Sequence, residues 1–566
     1  MIPVKEDPAA TAMMRALRSQ PVPAPGEVLR LDGGADFVMH LRLRGLYIRD
    51  CYKQLADLML TEPPLDYILT GTPGTGKSLL IYYFLGRLLH LPQPPPFIVW
   101  QHVFKHNRRY CYDVKTGEVR VGGLDRFEEV ELANPDTWYI TDGVPPDVGV
   151  RARILLITPP KRETYKEMEK ASAVKLFMPL WSLEELQDCR SKVGIPVPEA
   201  LVTKFFEYCG GVALYSLEQQ RPATNKTFDA LLDNLRGAVN ACNVAQVRAA
   251  IEGAGARDMG PESIHRVIHI TTDASYSRRQ LVFASPWVAE RFVGTALMNG
   301  DERGLVSLVN STTGSLRGML HEAWMHMLLP KGGGLIVTPV DFPDGMEELQ
   351  RGPEQRLKLP KCKGVALFED VAEIAGERCC EGVYYRPSSS PAFPLVDSLL
   401  CAGGAVYLFH MTVGDSKIVD FAALEELLRK LSLASQPEPR LIFVVPEDVY
   451  LTFKLSGKVG DEDDKGQAAV VEGGWTQATA EAPAAASAKG QPSKALAAAS
   501  AKGRPRRAQA PALAPAPAPV PAPAVARPKL YIMKVPLATR TKPNVRAAVF
   551  TQRGRPAARM LGGLQW

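Results

Sequence analysis

The chain has no run of 18 or more consecutive apolar residues, so no transmembrane helix is expected. Its opening stretch, MIPVKEDPAATAMMRALRSQ, has no apolar core of the kind a secretory signal needs, and no such signal is expected there. Cysteine is sparse: nine residues are scattered along the chain, Cys379 and Cys380 are adjacent, and no pair has CxxC spacing. That argues against a zinc site or a disulfide framework and for a reducing compartment.

What is present is ordinary in bulk and uneven in distribution. A length of 566 residues implies two to four domains at roughly 100–200 residues each. Hydrophobic content of 46% and charged content of 23% allow large cores. From Lys465 to Trp566 there are 16 basic and 2 acidic residues, a net of +14, which leaves −8 for the remainder. Two readings of this basic stretch stay open: an electrostatic footprint for nucleic acid, and a solvated segment kept soluble by its charge.

Along the chain, residues 1–40 hold Pro21, Pro23, Pro25 and the pair Gly33-Gly34, and read as an irregular extension. Residues 41–225 read as an α/β domain. Helical spacing over Tyr47–Leu58 leads into the strand Tyr67–Thr70 and a glycine loop. A buried helix (Ser78–Leu89) and the strand runs Phe97–Trp100, Trp138–Thr141 and Arg153–Thr158 follow, a pattern that suggests a parallel sheet. Helical segments are expected at Leu183–Arg190, Pro198–Tyr208 and, as one helix, Phe228–Glu252; residues 226–305 read as a helical linker. A second α/β block, 306–460, contains a helix (Leu316–Leu329) and strands at Gly364–Phe368, Ala405–Val413 and Leu441–Val445. Residues 461–528 are Ala/Pro/Lys-rich and cannot bury a core. Because a strand-like run, Lys529–Val535, returns in the closing segment 529–566, the low-complexity stretch reads as a disordered insertion within the second block.

The strongest chemical signal is Gly71-Thr72-Pro73-Gly74-Thr75-Gly76-Lys77-Ser78, a Walker A run placed between a strand and a helix. Glycines let the backbone wind closely round phosphate and aim N–H groups at it, and the helix N-terminus adds partial positive charge. Lys77 is expected to reach the β- and γ-phosphates of ATP, and the Ser78 hydroxyl to ligate Mg²⁺. Asp142, after the hydrophobic strand Trp138–Thr141, is the expected acidic Mg²⁺ partner; an Asp-Gly turn closing that strand is the alternative. The next residue is Gly143, where many such ATPases carry a water-orienting Glu. Thr158 ends the following strand and is a candidate γ-phosphate sensor; Lys161 and Arg162 beyond it read as phosphate neighbours or as surface charges.

These features, taken in order with Val99-Trp100-Gln101-His102, Trp181–Leu186 and Phe205–Val212, resemble the Crinkler and retrotransposon-hot-spot superfamily. In that family a P-loop NTPase with an AAA/ASCE-like parallel sheet is coupled to a restriction-endonuclease-like domain. In the second block, Gly314–Glu322, Tyr384–Asp397, Leu441–Pro446 and Leu530–Pro536 are similar to the family's opening helix, its Y-x-P…DS segment and its closing strands. The resemblance implies Glu322 as a helix acid and Asp397 as the first strand carboxylate and metal ligand. It puts His410-Met411-Thr412 in the acid-x-Lys slot where Mg²⁺ and an activated water would be managed. His410 retains ligand or proton-transfer capacity. Thr412 supplies no lysine charge, and Lys417 lies a few residues further on. The bland readings are an exposed helix acid for Glu322, a turn residue for Asp397 and a satisfied core histidine for His410.

Two functions are therefore expected to compete. One is an ATP-binding NTPase whose nuclease-like domain binds or acts on DNA or RNA. The other is a nucleotide-switched, effector-type module that binds a protein partner. No membrane partner is expected. Location is expected to be intracellular, with Lys502-Gly503-Arg504-Pro505-Arg506-Arg507 a candidate nuclear signal; secretion as an effector acting in host cells is the alternative.

Overall fold

A computed structural model describes residues 3–61, 65–218, 227–252, 264–341, 350–388, 395–431, 439–458 and 528–535. The expected insertion (461–528, apart from its last residue), the basic cluster Lys502–Arg507 and the closing segment beyond Val535 lie outside the described residues. Within them the chain is α/β.

The first half contains strands β1 (Lys5–Glu6), β2 (Val28–Leu29), β3 (Leu46–Tyr47), β4 (Tyr67–Thr70), β5 (Phe97–His102), β6 (Arg109–Asp113), β7 (Glu118–Gly122), β8 (Trp138–Asp142), β9 (Arg153–Ile157) and β10 (Val174–Phe177). Its helices are α1 (Pro8–Ser19), α2 (Asp50–Met59), α3 (Leu80–Leu89), α4 (Arg162–Lys170), α5 (Leu183–Val193) and α6 (Glu199–Cys209). Eight of the strands form one sheet in the order β1-β7-β6-β5-β8-β9-β4-β10. From β5 to β10 all neighbours are parallel, and the fully buried strands β4 and β8 show why: both faces are covered by helices or loops.

Two expectations need correction here. The sheet is mixed, not purely parallel, because β6 and β7 form an antiparallel hairpin and β1 adds antiparallel to β7. The hairpin turns where the Asp113 carboxylate accepts from the amides of Lys115 and Thr116, with Gly117 at φ 74°. Residues 1–40 are not simply irregular. The Asp7 carboxylate caps α1 by accepting from the Ala10 amide at 3.0 Å, with Pro8 at the first helical position. Helix α1 then buries Ala10, Met13, Met14 and Leu17 in the same core as α3.

The middle comprises α7 (Phe228–Ala241), α8 (Val244–Glu252), α9 (Ile264–Val267), β11 (Ile268–Thr272), β12 (Arg279–Phe283), α10 (Pro286–Met298), α11 (Glu302–Ser311) and α12 (Gly314–Leu328). The single helix expected over Phe228–Glu252 is broken at Cys242-Asn243, where the Asn243 side chain accepts from the Gln246 amide and starts a new helix. The expected helical linker (226–305) also contains the antiparallel hairpin β11–β12, which periodicity over so short a stretch does not reveal.

The last part holds β13 (Gly333–Asp341), β14 (Gln350–Arg351), β15 (Gln355–Leu359), β16 (Gly364–Phe368), β17 (Val383–Pro387), β18 (Ser398–Ala402), β19 (Ala405–Met411), β20 (Ser416–Asp420), α13 (Phe421–Leu431), β21 (Pro439–Val445), α14 (Glu447–Tyr450), β22 (Lys454–Lys458) and β23 (Lys529–Lys534). A second sheet runs β14-β13-β23-β21-β19-β18-β17-β16, with β15 also on β13. Strands β17, β18 and β19 form an antiparallel meander, and α13 carries the chain over to β21, parallel to β19. Strand β23 is interior, between β13 and β21, although a long stretch of chain separates it from β22. Cys379 and Cys401 pair as a disulfide, a single bridge where the cysteine spacing argued against a disulfide framework, while Cys380 is free and exposed. One continuous core joins α6, the middle helices and the inner face of the second sheet, through Phe205, Val239, Phe292, Leu320, Phe409 and Met533. No helix among the described residues is long and apolar enough to cross a membrane.

Candidate functional site

Strand β4 lies between β9 and β10, one strand in from the end of the sheet, and its C-terminal end leads into the glycine loop. The loop passes into a 3₁₀ turn, Lys77–Leu79, and then α3. At Gly76 (φ 96°) a Cβ would sit 2.6 Å from the Tyr52 hydroxyl, so a side chain is excluded both by conformation and by space.

The loop carbonyls are taken up by the surrounding protein. Thr75 O accepts from Trp181 Nε1 (2.8 Å) and from the Arg49 guanidinium (3.3 Å). Gly76 O accepts from Tyr52 Oη (2.7 Å), and Gly74 O from the Leu214 amide (3.2 Å). A trans peptide holds its N–H antiparallel to its C=O, so drawing these three carbonyls into the surrounding protein turns the amides of Thr75, Gly76 and Lys77 the opposite way. Thr72 is tied differently: its hydroxyl accepts from the Ile270 amide (2.7 Å) and donates to the Ile270 carbonyl (3.2 Å), stitching the loop to β11.

Lys77 is buried, and its Nζ donates to Gly71 O (3.0 Å) and Thr72 O (2.8 Å). Burial depresses its ammonium pKa to about 8, partly offset by the Asp142 charge. Ser78 Oγ donates to Asp142 Oδ1 at 3.0 Å, bringing together two expected site residues from different ends of the sheet sequence. Asp142 is the last residue of β8 and is 5% exposed. Its Oδ2 lies 3.0 Å from His102 Nε2, at the end of β5. Strand end and turn coincide here: Gly143 has φ 71° and donates to Ile157 O. A Cβ on Gly143 would meet Val103 Cβ at 3.1 Å, so a glutamate there would be strained. Thr158 is buried next to β4, its amide on Leu69 O and its hydroxyl donating to Pro159 O. Pro73 is half-buried on the loop and makes no side-chain hydrogen bond.

The second cluster lies on the other sheet. Asp397 precedes β18 and is half-buried; its Oδ2 accepts from the Met411 amide (2.5 Å) and lies 3.4 Å from His410 Nδ1. Burial raises the Asp397 pKa, and the Glu322 charge adds to that while His410 opposes it. His410 is 8% exposed, its pKa lowered by burial and by the Lys417 charge and raised by Asp397. Thr412 caps a turn by accepting from the Gly414 amide. Glu322, on α12, is half-exposed and lies 3.6 Å from His326 Nε2. Since Tyr384 Oη donates to Ser398 Oγ (2.7 Å), His326 must donate through Nδ1 to Tyr384 Oη (3.0 Å). Glu322, Asp397 and His410 are thus electrostatic neighbours, but among the described residues no three His, Cys, Asp or Glu side chains converge as a metal-holding group.

Sequence reasoning assigns no role to Arg49, His102 or His326, although His102 closes one of the segments that carry the resemblance. His102 is the most legible of these, since it ends a hydrophobic strand run beside another that ends in Asp142.

No family model matches the chain. It is 26% identical over 435 residues to Crinkler effector protein 15 of Phytophthora infestans, and 27% identical over 429 residues to Crinkler effector protein 16 of the same organism. Each comparison takes in 73% of this chain, which spans only 65% and 64% of the length of those two relatives. These similarities support a Crinkler relationship.

The burial of Lys77 has a measurable consequence. With a folded-state pKa of about 8 against an ordinary 10.5, the folded chain binds this proton less tightly than the unfolded chain. The cost of burying the cation is therefore full below about pH 8 and fades as pH rises towards 10.5. Lys77→Met removes the cation together with its bonds to Gly71 O and Thr72 O, so its melting temperature without nucleotide, relative to the native chain, is expected to be most favourable at and below pH 7. That relative standing should fall steadily above pH 8. Thermal melts of both proteins from pH 6.5 to 10 decide this; a difference that does not change with pH would contradict it.

Proposed function

We propose that the chain is an ATP-binding P-loop NTPase joined to a nuclease-like domain that binds nucleic acid. The observation that carries the first part is the 3.0 Å contact between Ser78 and Asp142. It joins the end of the glycine loop to a carboxylate two strands away, across β9. That strand order suits an AAA/ASCE-like sheet. The hydroxyl of Ser78 and the carboxylate of Asp142 are hard oxygen donors, which fit Mg²⁺. Bound Mg²⁺ would neutralise phosphate charge. Lys77 supplies a cation at the loop, the loop amides bind phosphate oxygens, and the start of α3 adds its dipole. Since Gly143 offers no carboxylate and resists acquiring one, turnover is expected to be slow.

For the second domain the support is partial. A carboxylate, Asp397, stands before β18, and the paired strand β19 carries His410 in the acid position. Thr412 stands in the lysine position and is occupied in a turn. With Asp397 already engaged and no third ligand beside it among the described residues, those residues do not fit a resident Mg²⁺, and no cleavage step is derived. Nucleic-acid binding has its own support. Lys331, Arg356, Lys358, Lys361 and Lys363 are exposed around the β15 end of the second sheet, and no ion pair engages them among the described residues. The retrotransposon-hot-spot side of the resemblance belongs to this same proposal.

A second reading has specific support. Thr412 and the name "effector" carried by the relatives favour a nucleotide-switched interaction module with an inactive nuclease-like domain, acting in host cells. Its signature is a protein partner whose capture changes with nucleotide.

Two measurements test the proposal. MgATP at 100 times its Kd should stabilise the protein by about 2.7 kcal/mol, and Lys77→Ala should abolish the thermal shift; no shift for the native chain would contradict NTP binding. Duplex DNA should be retained at low salt with an affinity that falls steeply with ionic strength, by roughly 0.9 log unit per log salt for each phosphate contact. Arg356→Glu with Lys358→Glu should flatten that slope. Absence of retention at low salt would remove the nucleic-acid reading, and plasmid cleavage lost in Asp397→Ala would restore the catalytic one.

A further inference from the structure

Strands β5 and β8 are parallel neighbours, in register at His102 and Asp142, so the two side chains leave the sheet side by side at its C-terminal edge. Both are almost fully buried, at 3% and 5% exposure. The imidazole is committed on both nitrogens. Nδ1 accepts from the Phe104 amide at 3.1 Å, which caps the short turn Val103–Lys105 and requires the lone pair on Nδ1. The ring proton therefore sits on Nε2, which faces Asp142 Oδ2 at 3.0 Å and donates to it. The ring is wedged in place by Phe104, with centroids 4.8 Å apart, and by the edge of His40 at 5.9 Å. His40 is held in turn by Tyr82 Oη at 2.9 Å.

The two oxygens of Asp142 consequently have distinct partners: Oδ2 is held from behind by His102, and Oδ1 is turned towards Ser78. We propose that His102 is a positioning residue for the nucleotide site. By donating to Oδ2 it fixes the carboxylate rotamer that points Oδ1 to the Ser78 side, and so sets how tightly divalent metal couples to nucleotide binding. With no lone pair to spare, His102 does not act as a proton acceptor in this arrangement. Outer hydrogen-bond partners of ligating groups commonly contribute 10–100-fold to metal affinity, and both members of this pair are buried. The proposal rests on the reading of the glycine loop as a nucleoside triphosphate site.

The test uses the full chain and a fluorescent ATP analogue, methylanthraniloyl-ATP, whose binding is followed as Mg²⁺ is titrated, with a melting curve for each variant. His102→Gln keeps an N–H donor near the Nε2 position; His102→Phe keeps the ring and loses the donor. The expected result is a 10–100-fold rise in the Mg²⁺ needed for half-maximal binding in His102→Phe, with His102→Gln close to native. In an Asp142→Ala background, His102→Phe should add little, because the two act as one unit. A native-like Mg²⁺ requirement in His102→Phe overturns the proposal. So does equal weakening in Gln and Phe variants accompanied by equal loss of melting temperature, which marks a packing role. Should His102→Phe fail to fold, His102→Leu takes its place as the donor-free variant, with the same expected rise and the same overturning result. If native protein binds no analogue while folding normally, the nucleotide reading itself fails and the proposal falls with it.

Discussion

The buried guanidinium of Arg49 holds the first half of the molecule together around the glycine loop. It is 1% exposed and bonds to Glu185 through two nitrogens (2.7 and 2.9 Å). Its remaining donors reach the carbonyls of Thr75, Pro179 and Leu180, and it stacks on Trp181 at 4.2 Å. Breaking a buried ion pair by removing one partner typically costs about 3–5 kcal/mol, because the other charge is left buried and uncompensated. Arg49 thereby links the start of α2, the glycine loop, the segment after β10 and helix α5. The conformation of the loop is set from behind by this network, which is the preorganisation the proposed anion site would need.

The loop is also tied forward. The Thr72 hydroxyl exchanges two hydrogen bonds with the Ile270 backbone, which fastens the loop to β11. The hairpin β11–β12 belongs to the core that includes α12 and the second sheet, and α12 carries Glu322 and His326 beside Asp397. A physical path therefore connects the two candidate sites through packed elements, without a long loop between them.

What the sequence makes legible follows the range of the interactions concerned. The strand Tyr67–Thr70 and the glycine loop are local patterns, and the structure has the strand at those bounds. The β23 strand is legible as a strand-like hydrophobic run, but its interior place between β13 and β21 depends on partners far away in the chain. Helix α1 carried readable signals, Asp7-Pro8 followed by apolar residues at helical spacing, which the nearby prolines obscured. The partners of Asp142 divide the same way. Ser78 follows from the motif, whereas His102 depends on the register of two parallel strands, which no local spacing encodes. Arg49 shows the opposite failure: a charge in an amphipathic stretch reads as surface, and only the convergence of Glu185, Trp181 and three carbonyls explains its burial. The proximity of Cys379 to Cys401 likewise comes from strand packing and not from cysteine spacing.

The most direct measurement of the central claim is amide hydrogen exchange, followed by mass spectrometry, with and without MgATP. If the loop amides cradle phosphate and Asp142 completes the metal side, peptides covering Gly71–Leu80 and the ends of β5 and β8 should gain protection on nucleotide addition, while β15 and the α12 region change much less. Nucleotide bound at saturating concentration with no added protection in Gly71–Leu80 would contradict the account.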